Sequence, residues 1–133
     1  MKAVIFEKIG GPEVIRVVNV EAKHPGPGKV RVKMEASGLN YSDLLIRTGQ
    51  YPDPFRAPYY VGREIAGAID AVGEGVGSFS IGQKVFGMVA EGGTMAELPA
   101  VPRTRPFSVA GTVAARRGRI RSRTGACGYA VSG

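Results

Sequence analysis

The chain has 133 residues, 44% of them apolar and 22% charged. That suits one globular domain with or without a tail, and excludes two full domains or a wholly disordered chain. The only cysteine is Cys127, which excludes a disulfide framework or a cysteine zinc cluster. The net charge of +7 is unevenly placed: up to Leu98, 6 Lys and 5 Arg cancel 3 Asp and 8 Glu, whereas Pro99 to Gly133 holds 7 Arg and no acid. A neutral body therefore carries a basic tail.

The opening Lys2–Phe6 is an apolar strand, too short for a signal peptide. No later run approaches the ~20 apolar residues that cross a bilayer, so a soluble, cytoplasmic protein is expected. After the Gly10-Gly11-Pro12 turn, Glu13–Val20 is a β-branched run suited to a pleated, mostly buried surface. His24-Pro25-Gly26-Pro27-Gly28 is a turn. In Lys29–Glu35, Val30, Val32 and Met34 alternate with Arg31, Lys33 and Glu35, the pattern of a half-buried strand.

The period then changes. Asn40–Thr48 reads as one short helix, with Asn40 or Ser42 as N-cap and Gly49 as the stop. Tyr51–Tyr60 holds Pro52, Pro54 and Pro58 and is read as a loop. Ile65–Val72 and Lys84–Ala90 are two further strands joined by the glycine-dense stretch Gly73–Gly82. Several strands with frequent turns and one helix predict a mainly β, small barrel-like fold. Gly73-x-Gly75-x-Gly77 is not a dinucleotide loop, because Ser78 stands where the motif needs glycine and no helix pattern follows.

Four co-linear segments carry a family resemblance: Pro25-Gly26-Pro27-Gly28-Lys29-Val30; Gly38-Leu39-Asn40-Tyr41-Ser42-Asp43; Tyr51 through Gly62-Arg63-Glu64-Ile65-Ala66-Gly67; and Ala71-Val72-Gly73-Glu74-Gly75-Val76 running to Gly82-Gln83-Lys84-Val85-Phe86-Gly87. Together they resemble the medium-chain dehydrogenase/reductase superfamily, in particular its zinc-independent quinone oxidoreductase (zeta-crystallin-like) branch. The resemblance covers residues 1–98 and implies a GroES-like N-terminal catalytic domain. In that family a Rossmann domain follows, binds NADPH and often mediates homodimers; no such domain is read in these 133 residues.

The resemblance implies hydride transfer to a quinone or enone. Zinc-using relatives place a cysteine where Asn40 stands and a histidine where Arg63 stands. An amide is a poor zinc ligand and a guanidinium is none, so no metal is expected. Without a Lewis acid, hydrogen-bond donors must meet the developing oxyanion. The resemblance points to Asn40 and Tyr51 as catalytic, and to Asn40, Tyr41 and Arg47 as cofactor-binding. Each has a plainer reading: an N-cap for Asn40, a rim aromatic for Tyr51, a pocket lining for Tyr41 and a solvated helix charge for Arg47. Asp43 favours the helix N-terminus through the dipole. His24 reads as a surface turn residue, and nothing visible activates Cys127.

From Pro99 onward the pattern breaks, and arginines interleave with Gly, Ala, Ser and Thr, as in Arg116-Arg117-Gly118-Arg119-Ile120-Arg121-Ser122-Arg123. One sign of charge and little hydrophobicity predict disorder. Two origins stay open: a segment translated out of frame, which is the favoured one, or a basic arm touching nucleic acid. The second would make the chain a non-enzymatic binding module, the alternative to a truncated reductase domain that is inactive alone.

Overall fold

In the computed structural model, residues 1–53 and 56–103 are described, together with the backbone pairing of 108–109 and 129–130. The fold is mainly β with one α-helix, as its sequence pattern predicts. The elements are β1 Lys2–Phe6, β2 Arg16–Asn19, β3 Lys29–Ala36, β4 Gly38–Leu39, α1 Tyr41–Thr48, β5 Tyr59–Tyr60, β6 Glu64–Val72, β7 Lys84–Met88, β8 Ala100–Pro102, β9 Ser108–Val109 and β10 Tyr129–Ala130. The rest of the arginine-rich segment, on which the expectation of disorder falls, lies outside the described residues.

A five-stranded sheet in the order β8-β3-β6-β7-β9 forms the larger layer, and β2-β1-β5 forms a three-stranded sheet. All pairings are antiparallel, including the short β10–β4 pair. The alternation in β3 has its expected result: Val30 and Val32 are fully buried, while Arg31 and Lys33 face outward. The register of β3 against β6 shifts twice, between Arg31 and Val32 and between Met34 and Ala36. Such bulges bend and twist a sheet around its core.

One core gathers Val30, Val32, Ile65, Ile69, Val76, Val85, Val89 and Val101. A second gathers Phe6, Val14, Ile46 and Val61, with Tyr51 and Tyr59 packed against it. The three-stranded sheet is tied to the segment before β8 by the Ala3–Ala96 bridge and by the Val4 N–H to Met95 carbonyl bond at 2.9 Å.

Two expectations change. The Glu13–Val20 run is not one buried strand. Pro12–Val14 forms a 3-10 turn and only Arg16–Asn19 is a strand, on which Val17 is 67% exposed. Proline at the first helical position starts that turn, and β2 then lies at a sheet edge, where β-branched residues can face water. The body also continues past Leu98, because β8 pairs with β3 and Val101 is 2% exposed.

Candidate functional site

The site is built around the junction of β4 and α1 and the segment entering β6. Asn40 precedes α1 in extended conformation, at φ −106° and ψ 156°. Its backbone N–H donates to Asp43 Oδ2 at 2.9 Å, and the Asp43 N–H donates to the Asn40 carbonyl at 3.0 Å. These contacts close the first turn. At the other end Gly49 takes φ 74°, the left-handed stop that glycine accepts without strain. The helix was legible in its caps.

That arrangement leaves the Asn40 carboxamide nitrogen buried without a hydrogen-bond partner. An unpaired buried donor costs free energy, so a carbonyl acceptor supplied by a bound molecule would fit this position. Asp43 is only 4% exposed. Burial pushes its carboxyl above the usual carboxylate range, while the N–H groups of Asn40 and Gly62 and the Arg63 charge pull it partly back.

Arg63 was set aside by the metal argument and given no role, yet it organises the cluster. It sits between Gly62 and β6, and its carbonyl accepts from the Val89 N–H at 2.6 Å. Its Nη1 donates to the Tyr51 hydroxyl at 2.8 Å, and its Cζ lies 4.8 Å from the centre of the Tyr51 ring. The Tyr59 hydroxyl lies nearby but is buried without a hydrogen-bond partner, and Tyr59 stacks on Phe6 with ring centres 5.1 Å apart. Burial alone would lower the Arg63 pKa, but the Tyr51 hydroxyl and the nearby Tyr59 phenol more than offset it and the group stays a cation. Burial raises the Tyr59 phenol, against the pull of Arg63.

An open cleft of about 580 Å³ borders this cluster, lined by Asp53, Arg56, Tyr59, Arg63, Glu91 and Gly92 among others. Neither Asn40, Tyr41, Arg47 nor Tyr51 lines it; Tyr51 meets it through Arg63. Tyr41 is 73% exposed at the start of α1. Arg47 takes a structural place: its guanidinium donates to the Gly10 carbonyl, whose own N–H donates to the Arg47 carbonyl at 3.0 Å. A cofactor phosphate would have to compete with that contact. Among the described residues no three of His, Cys, Asp and Glu converge as metal ligands, and no helix is long and apolar enough to cross a membrane.

A β body with a capped helix beside an open cleft is the architecture of a GroES-like domain. Residues 26–109 match the family described as alcohol dehydrogenase GroES-like domain. The chain belongs to that family, within the medium-chain dehydrogenase/reductase superfamily. It is 39% identical over 97 residues to a quinone oxidoreductase of Pseudomonas aeruginosa, a match covering 73% of this chain and 30% of that protein. A solved quinone oxidoreductase of Pseudomonas syringae superposes with a TM-score of 0.74 at 36% identity, over 84% of this chain and 34% of that one. The Escherichia coli quinone oxidoreductase solved with NADPH superposes at 0.71 and 32% identity, over 77% and 31%. The chain thus spans about a third of the length of these relatives.

Proposed function

We propose that this chain is the substrate-side, N-terminal domain of an NADPH-dependent reductase of quinones or enones that works without zinc. The observation that carries this reading is its 39% identity over 97 residues to a quinone oxidoreductase, supported by the buried, unpaired Asn40 amide beside the cluster. When bound, the nicotinamide cofactor would supply the hydride, the part of the chemistry a protein cannot provide. The chain's own residues bind and orient. Asn40 offers its Nδ2–H to a carbonyl or carboxamide oxygen, Tyr41 offers an exposed ring for stacking, and Tyr51 holds the polar end of the cluster beside the cleft. Asn40 suits such an acceptor, and Arg47, one of whose nitrogens is engaged with Gly10, would have to share its guanidinium with a cofactor phosphate. Asn40 and Arg63 in place of metal-ligating side chains favour donors over a Lewis acid as the electrophilic aid.

The test is titration of the 133-residue chain with tetramethyl-1,4-benzoquinone, a quinone with no free position for thiol addition. Binding is followed by nuclear magnetic resonance. Saturable binding that weakens ~3–30-fold in Asn40→Ala and Tyr51→Phe is expected. NADPH alone should bind weakly or not at all, because no dinucleotide loop is present in the sequence. Quinone binding indifferent to both substitutions removes the reading.

A further inference from the structure

Two arginines, Arg56 and Arg63, and two acids, Asp53 and Glu91, line the cleft, and Arg63 is the cation that Tyr51 holds ready for an anionic oxygen. Among the described residues no carboxylate lies within 4.0 Å of its guanidinium; the ion pairs there are Arg16–Glu7, Arg31–Asp70 and Lys84–Glu35. A half-buried arginine ordinarily finds an acid, since its charge is costly to desolvate. Here the Tyr51 phenol holds it, and the buried Asp43 carboxyl acts on it through space, without an ion pair. The Tyr51 hydroxyl takes Nη1 at 2.8 Å, the Tyr51 ring lies under Cζ at 4.8 Å, and Tyr59 flanks it. A phenol fixes the fork without neutralising it. The backbone is fixed too, by the Val89 bond at the entry to β6. One further sign is that Arg63 Nε is buried without an acceptor.

We propose that Arg63 is the oxyanion-binding residue of the cleft, facing the substrate oxygen on which negative charge gathers, and that Tyr51 is a positioning residue that holds the guanidinium in place. The inference rests on the quinone-reductase reading and sharpens it. The preferred ligand is an aromatic or conjugated carbonyl compound whose oxygen becomes a phenolate or enolate, and the direct contact to that oxygen is the arginine rather than the tyrosine. Arg63 presents several N–H donors in a rigid plane, one of them already used by Tyr51. A planar cation held in advance loses little freedom when it meets an oxyanion.

The test compares two probes of one shape, 4-nitrophenolate and nitrobenzene, bound to the full chain above the pH at which 4-nitrophenol ionises. The shift of the nitrophenolate absorption band and Arg side-chain resonances are the readouts. The wild type should prefer the phenolate by ~10–100-fold, the range of a charge-assisted hydrogen bond. Arg63→Met should erase that preference and Arg63→Lys should keep part of it. Tyr51→Phe should weaken it less than Arg63→Met, because the ring remains. Arg56→Gln, at an exposed neighbour on the cleft wall, should leave it within ~2-fold. If Arg63→Met does not fold, Arg63→Lys against Arg56→Gln decides: equal losses, or a larger loss in Arg56→Gln, overturn the assignment. A preference that survives in folded Arg63→Met overturns it also, and Tyr51-dependent quinone binding would then leave the reductase reading standing. If the quinone fails to bind while the Arg63-dependent preference persists, the reductase reading falls and the oxyanion site stands.

Discussion

Gly67 lies in β6 between Met34 of β3 and Val85 of β7. A Cβ built there would stand 2.2 Å from the Lys33 carbonyl oxygen and 3.0 Å from Val32 Cγ1. The first contact is about 1 Å short of ordinary approach, and the obstructing atom is backbone. Relief requires β3 to move away from β6, but β3 carries Val30 and Val32, both fully buried in the main core. Its register already shifts beside this point. Gly67→Ala is therefore an overpacking substitution costing ~1–3 kcal/mol, offset by about 0.4–1 kcal/mol from a stiffer unfolded chain. A net loss of roughly 1–2 kcal/mol corresponds to a melting point lower by about 5–15 °C for a body of this size.

The assay is thermal and urea unfolding followed by far-ultraviolet circular dichroism, with Gly77→Ala in parallel. Gly77 has no atom within 4 Å of its built Cβ and no left-handed φ. Alanine there should be neutral or stabilising by up to about 1 kcal/mol. The two glycines share chemistry and differ only in what surrounds them. If Gly67→Ala melts at or above the wild type, the close approach of β3 and β6 is wrong.

Arg47→Met should cost ~1–3 kcal/mol by releasing the Gly10 carbonyl, with no effect on any weak NADPH binding; a binding loss at unchanged stability would restore its cofactor role. Asp43 supplies a pH signature. Its folded pKa lies above the ordinary carboxylate value of 3.8 because burial disfavours the carboxylate. The native state therefore holds the proton more tightly, and Asp43's contribution to stability falls as pH rises from about that value through the folded pKa. Urea unfolding of wild type and Asp43→Asn across that window should show the wild type gaining on the variant as the solution is acidified; a gap independent of pH, or one that moves the other way, refutes the buried carboxylate.

What was legible in the sequence was local. The alternation in Lys29–Glu35 became β3, the Asn40 and Gly49 caps bounded α1, and Ile65 and Ile69 fell on the buried face of β6. What was not legible depends on partners distant in the chain. Ala100–Pro102 has only Ala100 and Val101 between Pro99 and Pro102, and it is a strand only because Lys29–Arg31 offers it a ladder. Val17 belongs to a β-branched run, yet it faces solvent because β2 is an edge. The Arg63–Tyr51 contact joins residues 12 positions apart across a proline-rich loop, and no periodicity encodes such a meeting. The one available signal was a basic residue directly after the apolar Val61-Gly62 at the entry to a strand, where an arginine needs a reason.

The two halves of the cluster are held by different means. Arg63 leads into β6, the middle strand of the five-stranded sheet, and its carbonyl is bonded to Val89 at the end of β7. Tyr51 follows α1 on a loop, tied at its N–H to the Leu45 carbonyl at 3.2 Å. The cation is therefore placed by the rigid layer, and the phenol comes to it from a segment with fewer ladder bonds. Sites on sheet elements are positioned more precisely than sites on loops. A ligand that displaced Tyr51 would still find the Arg63 backbone in place, with the guanidinium freed from the phenol to turn toward it. The guanidinium is accordingly the member of the cluster on which oxyanion recognition can depend, and Tyr51 is the member that can adjust.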